Sequence, residues 1–408
     1  LTAVPTALSV DLLVVGGGLV GLSLALAGAG AGLEVAVVDR EDPARTVGEA
    51  FDGRTTAIAY GSRQVLAGIG LWREVAAEAE PILEIRVADA EAPLFLHYDH
   101  RDLGDDPLGW IVENRVLRRA LLACIARQPT LHHLAPAEVV SVERDAAGVK
   151  ATLADGRRIR GALCAAADGK DSPLRRAAGI GTVDWPYPQA GIVCTVRHER
   201  PHGGVAVEHF LPSGPFAILP MTERRSSIVW TERAALAPHF MKLGPAEFAA
   251  EIAKRFGDYL GRVEPVGPRW CYPVSLMVAE SFAAERLAVV GEAAHVIHPI
   301  AGQGLNLGIR DVAVLAELVV DARRLGLDIG APDLLARYER WRRVDTLTLA
   351  TVTDGLNRLF SNDVAALRLA RDVGLAAVNR LPPLKRFLMR HAMGTVGELP
   401  RLTRGEAL

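Results

Sequence analysis

Apolar positions along the chain come in two kinds of run. Asp11-Leu-Leu-Val-Val15 is a compact block of branched and leucine side chains and predicts a short buried strand. Residues 19–31 are almost wholly apolar or small and predict a helix, and Leu33-Glu-Val-Ala-Val-Val38 predicts a second strand. Strand, tight glycine turn, helix and strand make a βαβ unit, so a parallel sheet is expected. Further on, residues 117–127 read as helical. Residues 138–143, 149–153 and 158–163 read as meander strands with turns at Ala147-Gly148 and Asp155-Gly156.

From about residue 184 to 275 the pattern changes to alternation, as in Val205-Ala-Val-Glu-His-Phe210 and Ser226-Ser-Ile-Val-Trp-Thr231. Alternation predicts an antiparallel sheet with one covered face. Pro212, Pro215 and Pro220 punctuate it. Residues 287–291 return to a buried, parallel-type strand, and a helix is expected over 305–324. The tail from 332 reads as helical, with a break at Pro382-Pro383. No internal repeat and no long low-complexity linker interrupts this order.

Composition narrows the class. The 408 residues carry 46 Lys and Arg against 48 Asp and Glu, so no basic field exists to attract nucleic acid. Lys occurs only at 150, 170, 242, 254 and 385, so most cations are Arg; with abundant Ala and Gly this reads as genomic bias. Cys124, Cys164, Cys194 and Cys271 lie far apart with no CxxC pair, which speaks against a disulfide framework or a zinc ribbon and for a reducing, cytoplasmic setting. Residues 12–33 are uncharged and long enough to span a bilayer, but seven of the 22 are Gly and no basic segment precedes them. Neither a membrane span nor a signal peptide is expected. The start on Leu1 reads as a processed or trimmed terminus.

Gly16-Gly-Gly18-Leu-Val-Gly21 satisfies GxGxxG in the required context, after a strand and opening a helix. The glycines allow a tight turn, close approach of backbone to a pyrophosphate, and helix-on-strand packing. The helix start offers free N–H groups and partial positive charge to that pyrophosphate. Asp39 ends the second strand eighteen residues beyond Gly21, where a carboxylate binds ribose hydroxyls. A carboxylate there argues against a 2′-phosphate. Arg40 is placed to stack on the adenine or to be a solvated charge. A second constellation, Asp168-Gly169-Lys-Asp-Ser172-Pro-Leu-Arg175, puts a carboxylate in a turn with Ser172 as a candidate N-cap. A third runs from Arg286-Leu-Ala-Val-Val-Gly291-Glu292 through His295, His298, Pro299, Gly302, Gln303, Gly304, Leu305, Asn306 and Gly308 to Asp311. It is a strand ending in Gly-Glu, a loop, and a glycine-led helix start able to stabilise an anion.

These three blocks, in this order and spacing, resemble the class A flavoprotein monooxygenases, with their GxGxxG, DG and GD motifs. Phe51-Asp-Gly-Arg54-Thr-Thr-Ala-Ile58, Trp110-Ile-Val-Glu-Asn114-Arg115, His298–Gly308, Tyr338–Asp345 and Thr353-Asp-Gly-Leu356 resemble the branch that hydroxylates ubiquinone precursors. The resemblance implies an α/β fold. A Rossmann-like, p-hydroxybenzoate-hydroxylase-like FAD-binding domain would span residues 1–80, 100–182 and 281–330. An inserted antiparallel substrate domain would span 81–99 and 183–280, and a helical C-terminal region 331–408. It implies FAD, with NAD(P)H as a transient reductant near Arg54 and Asp168, since a second full GxGxxG is lacking. Oxygen transfer to an electron-rich ring would proceed through a C4a-hydroperoxyflavin. The implied cofactor-binding residues are Gly16, Gly18, Gly21, Asp39, Arg40, Arg54, Asn114, Asp168, Gly291, Glu292, Pro299, Gly302, Gln303, Gly304, Leu305 and Asn306. Two depart from the family pattern: Glu292 stands where Asp is usual, and Asn114 where many relatives carry Arg.

His298 is the candidate base for a substrate phenol; His295 reads as a packing residue, and no metal site is expected. The implied substrate is a lipophilic, polyprenylated phenol, used with O₂. An insoluble substrate suggests peripheral contact with the inner face of the cytoplasmic membrane or with a biosynthetic complex. The tail supplies a candidate surface in Arg380, Lys385, Arg386, Arg390, Arg401 and Arg404, interleaved with Phe387, Leu388 and Met389. Two alternatives stay open: a class A hydroxylase of a soluble aromatic compound, and a catalytically silent flavoprotein scaffold. A flavin halogenase is disfavoured because no WxWxIP stretch occurs.

Overall fold

The computed structural model describes residues 7–48, 53–89, 95–360 and 378–408. Phe51 and Asp52 lie outside these residues. The central strand, Ala7–Val15, pairs in parallel with Arg158–Ala166 on one side and Val35–Val38 on the other. Val35–Val38 continues to Leu131–Leu134, and Arg158–Ala166 to Leu287–Val289, again in parallel. The blocks read as continuous apolar runs are covered on both faces: Leu13, Val14, Val35, Ala165 and Val289 are fully buried. The strands Val139–Asp145 and Gly148–Leu153 form the expected meander beside the first half of Arg158–Ala166. Helices Leu19–Gly30 and Gly304–Arg324 cover this sheet and contribute a dozen and more buried residues to its core.

A second eight-stranded sheet holds the alternating region together with Glu84–Asp89 and Phe95–Asp99. Its pairings are antiparallel except Val205–Leu211 with Glu84–Asp89. Two long strands, Thr182–His198 and Val263–Ala279, form its backbone. One face carries a separate core of Ile192, Phe216, Ile228, Trp230 and Phe256 under helix Pro245–Phe256. The other face packs Ala206, Leu219 and Met221 against Ile82, Leu108 and Ile111. A three-stranded sheet of Thr55–Ala59, Gly109–Glu113 and Glu80–Ile82 lies there, tied to the large sheet by Thr55 Oγ1 to Ser227 Oγ at 2.8 Å.

Two expectations need correction. Pro215 and Pro220 do not punctuate the sheet; they sit second and second-last in the strand Gly214–Met221, where the missing N–H is least costly. Pro382-Pro383 does not end the helical tail. The pair opens a new helix, Pro382–Ala392, because proline fits the first turn, whose N–H groups have no partner in the helix. Before it, helix Pro332–Phe360 packs along Gly304–Arg324.

Candidate active site

The fingerprint glycines divide by what surrounds them. Gly16 has φ +109°, and a Cβ there would collide with the Ala167 carbonyl on the neighbouring strand. A Cβ on Gly21 would collide with the Gly16 carbonyl oxygen. Both positions are closed by the protein's own backbone. At Gly18 a Cβ would meet no heavy atom within 4 Å, and the same holds at Gly304. Open space therefore lies in front of the starts of both helices. Neither helix has a side-chain cap or an acid in its first turn, so their leading N–H groups and partial positive charge are left for a ligand. The two starts are brought to the same edge by Val20, which lies against both Gly291 and Gly308.

Asp39 is bound to the fingerprint itself. Its Oδ2 accepts from Gly17 N at 2.8 Å and its Oδ1 from Glu41 N at 3.0 Å. This fixes the carboxylate at the strand end, with further lone pairs available to ribose hydroxyls. Arg40 is exposed, with its Nε 3.8 Å from Glu41. Asp168 sits in the turn after Arg158–Ala166. Its Oδ2 accepts from Leu174 N, while Oδ1 is buried without a hydrogen-bond partner among the described residues. Burial pushes its carboxyl above the usual range, against the opposing pull of Ser172, Leu174 N–H and Arg175. A buried oxygen without a donor beside two open helix starts suits a ligand hydroxyl or amide. The uncapped helix starts, the space at Gly18 and this orphaned oxygen fit a dinucleotide-sized, anionic cofactor such as FAD.

The loop between the sheets is held rigidly. Asn306 is fully buried: its Oδ1 accepts from Ala59 N, and its Nδ2 donates to Ala57 O and Gly302 O. Gly302 has φ +60°, and its Cα approaches Ala57. Gln303 is buried and donates to Ala392 O of the C-terminal helix. Gly304 and Pro299 are exposed, and Leu305 is half-buried. Arg54 is exposed, its guanidinium 5.2 Å from the centre of the Tyr272 ring. Arg54 O accepts from Asn114 N, and Asn114 Oδ1 accepts from Thr56 Oγ1 at 2.6 Å.

Two placements differ from the sequence reading. Glu292 is exposed, and the carboxylate that organises its turn is Asp311, from the following helix. Asp311 Oδ2 accepts from Gly291 N and His295 Nε2, and its Oδ1 accepts from Arg342 Nε. Arg342 also donates to Asp345 Oδ2, which pairs with Arg310 through its other oxygen. His298 is fully buried and engaged at both nitrogens. Nδ1 accepts from Ile300 N, so Nε2 carries the proton and faces Gln189 Oε1 at 3.3 Å. Burial lowers its pKa to about 4, despite the opposing charge of Asp354. The base role expected of His298 finds no free lone pair, because the backbone amide at Ile300 occupies it. The ring instead packs edge-on to Tyr187, whose hydroxyl donates to Asp354 Oδ1.

The sequence reading missed Arg118. It lies one turn beyond Asn114 on helix Asn114–Ile125 and lines the cleft beside Gly17, Asp39 and His133. The i,i+4 spacing from Asn114, on one helix face, was the available signal. Among the described residues, Glu84, His97 and Asp99 bring metal-ligating atoms within 4.8 Å of one another, but Arg86 and Arg101 already pair with their carboxylates.

Two open helix starts meeting at the edge of a parallel sheet are suited to a dinucleotide, and an antiparallel sheet facing the loop of the second start is the arrangement of a class A flavin-dependent monooxygenase. The chain belongs to that family of FAD-dependent enzymes: the family model described as FAD binding domain matches residues 9–346. It is 53% identical over 401 residues to ubiquinone hydroxylase UbiL of Rhodospirillum rubrum, covering 98% of this chain and 93% of that one. It is 34% identical over 386 residues to 3-demethoxyubiquinol 3-hydroxylase of Escherichia coli, covering 94% and 98%. The fold is shared with p-nitrophenol 4-monooxygenase PnpA of Pseudomonas putida at TM-score 0.80 and 19% identity, over 96% of this chain and all of that one.

Proposed function

We propose that this protein hydroxylates the aromatic ring of a polyprenylated phenol in ubiquinone biosynthesis, consuming NAD(P)H and O₂. The observation that carries the reading is 53% identity to a ubiquinone hydroxylase along 98% of the chain, and it is supported by the fingerprint glycines, Asp39 and Asp168 lying together at one edge of the parallel sheet. Bound there, FAD supplies the redox and oxygen-transfer chemistry. The chain's own residues do the rest. Gly18 and the first helix start would receive the pyrophosphate, with Gly16 and Gly21 closing the turn beneath it, while Asp39 and Arg118 would face the nucleoside part. Asp168 receives a donor from the cofactor. Backbone N–H groups of the Gly302–Asn306 loop would stabilise negative charge on a ring system held there. His298, with Gln189 and Tyr187, positions this loop against the antiparallel sheet, whose inner face forms the ring pocket of a substrate domain. Close packing there keeps water from the reacting centre.

The lipophilic substrate is met at a membrane surface. Among the described residues, no helix is long and apolar enough to cross a membrane. Helix Pro382–Ala392 buries Met389 against the body, as does Met393 just beyond its end, while Leu381, Leu384 and Phe387 stand 51%, 41% and 53% exposed. Arg380, Arg386 and Arg390 accompany them and are exposed. Of the other tail cations, Lys385 pairs with Asp102, Arg401 with Glu317 and Asp321, and Arg404 with Glu406. An apolar face ringed by arginines suits the interface of an anionic bilayer.

One experiment tests both parts. Expressed in a strain unable to hydroxylate the quinone precursor, the protein should restore quinone. On cell fractionation it should sediment with membranes and be released by high salt. Soluble protein with no quinone formed would point to a soluble aromatic substrate instead.

A further inference from the structure

Strand Val205–Leu211 carries one acid in its middle, Glu208. Side chains alternate along a strand, so Ala206, Glu208 and Phe210 share one face and Val205, Val207 and His209 the other. Val207 is buried in the core behind the sheet, with Phe216 and Trp230. Ala206 is buried with Ile111, Met221 and Met389, and Phe210 with Leu96, Phe360 and Ile300 of the loop before Gly302. Glu208 thus stands at the seam of two apolar clusters, on the sheet face turned toward the flavin loop. Its partners across the ladder are Ala217 and Val87, whose side chains offer no hydrogen bond.

The residue keeps accessible surface, yet the protein around it strips its carboxyl of solvation. Among the described residues, its carboxyl makes no hydrogen bond or ion pair, and desolvation alone raises its pKa from the ordinary 4.5 to about 7. Every other carboxylate singled out near the loop is engaged: Asp354 with Tyr187 and Arg358, and Asp311 with His295 and Arg342. An isolated carboxylate in an apolar wall costs stability, and a donor arriving with a ligand would relieve that cost.

We infer that Glu208 is the anchor of the substrate ring: its ionised carboxylate accepts the hydrogen bond of the ring hydroxyl and so selects which edge of the ring meets the flavin loop. The inference rests on the reading of the substrate as a phenol. The only proton involved stays shared between the phenol oxygen and the carboxylate, and no bond to carbon changes. A hydrogen bond to an ionised acceptor is about twice as strong as a neutral one, and stronger still when shielded from water.

The pH dependence arises from ionisation of Glu208. Among the described residues, the ionisable groups on elements packed over this face include Tyr60, Tyr98, Tyr187, Tyr272, His298, Asp354, Arg54, Arg225, Arg358 and Lys385. Tyr60 is raised above its ordinary 10.0 by burial and Asp106, and burial holds Tyr98 at about 12 and His298 at about 4. Arg225 pairs with Glu113, Lys385 with Asp102, and Asp354 with Arg358. Burial places Glu208 at about 7, above His298 and below Tyr60 and Tyr98.

The test uses FAD-loaded wild type and Glu208→Gln, with a singly prenylated phenol and its methyl ether as probes, read by perturbation of the flavin spectrum at pH 5.5 and 8. Wild type should prefer the phenol over the ether at pH 8 by ~10-fold or more. That preference should collapse at pH 5.5 and in the Gln variant at both pH values. Thermal unfolding without probe is the second readout. The folded-state pKa lies above the unfolded one, so stability falls as pH rises from about 4.5 through 7. Glu208→Gln should therefore raise Tm at pH 8 and leave it unchanged at pH 5. Equal phenol preference in variant and wild type, or no phenol binding at all, overturns the assignment. Phenol preference at Glu208 without ring hydroxylation would retain the anchor and remove the proposed reaction.

Discussion

Gly18→Val should give a folded protein that no longer holds flavin. A side chain at Gly18 meets nothing within 4 Å in the protein, so the fold has no reason to object. It would project into the space at the start of helix Leu19–Gly30, where we propose that the pyrophosphate meets backbone N–H groups. The expected result is native far-UV circular dichroism, a Tm near that of the apoprotein, and FAD affinity weakened by at least ~100-fold, equivalent to about 2.7 kcal/mol. The neighbouring glycines behave oppositely. Gly21→Val forces a side chain into the Gly16 carbonyl, and Gly16→Val adds strain at φ +109°, so both should fail at folding rather than at binding. Stoichiometric FAD on purified Gly18→Val would refute the pyrophosphate assignment.

Asp311→Ala should be the most destabilising single change in the cofactor half. The variant removes the acceptor of Gly291 N, His295 and Arg342 together, and leaves Arg342 buried without its main counter-charge. Breaking a buried pair in this way costs about 3–5 kcal/mol. Burial by itself raises the Asp311 pKa, but His295 and Arg342 outweigh it and hold the carboxyl below its ordinary 3.8. A lowered folded-state pKa supplies stability that is complete above 3.8 and is lost as pH falls below it. Urea denaturation of wild type and Asp311→Ala should therefore show the difference in full at pH 7 and a shrinking difference in the acid range. An unchanged midpoint at pH 7 would mean that the ion network does not hold the Gly291 turn.

Features that lie close along the chain were legible in the sequence. The βαβ unit could be read because its strand, glycine turn and helix are contiguous and each has its own pattern. Asp39 could be placed because the length of one helix fixes its distance from the fingerprint. The meander was announced by two glycine turns. Contacts across the chain were not legible. Asp311 closes the third constellation in the sequence without a role, and only tertiary packing brings Arg342 to it. His298 looked available because a sequence does not display the backbone amide of Ile300 that occupies its Nδ1. Glu208 was hidden by its own regularity, since a polar residue in an alternating strand ordinarily faces water. Here both faces of the sheet are covered, so alternation no longer separates inside from outside. The Pro382-Pro383 pair was misread because proline marks helix starts as well as stops, and the residues after the pair decide between them.

As proposed, the chain transfers an oxygen atom from O₂ to the ring of a prenylated phenol. The most direct measurement is mass spectrometry of the product formed by purified, FAD-loaded protein with NAD(P)H and a singly prenylated phenol under ¹⁸O₂. A product heavier by one ¹⁸O atom, formed in proportion to NAD(P)H consumed, is the predicted result. NAD(P)H oxidation that ignores the phenol, or a new hydroxyl carrying oxygen from water, would contradict it.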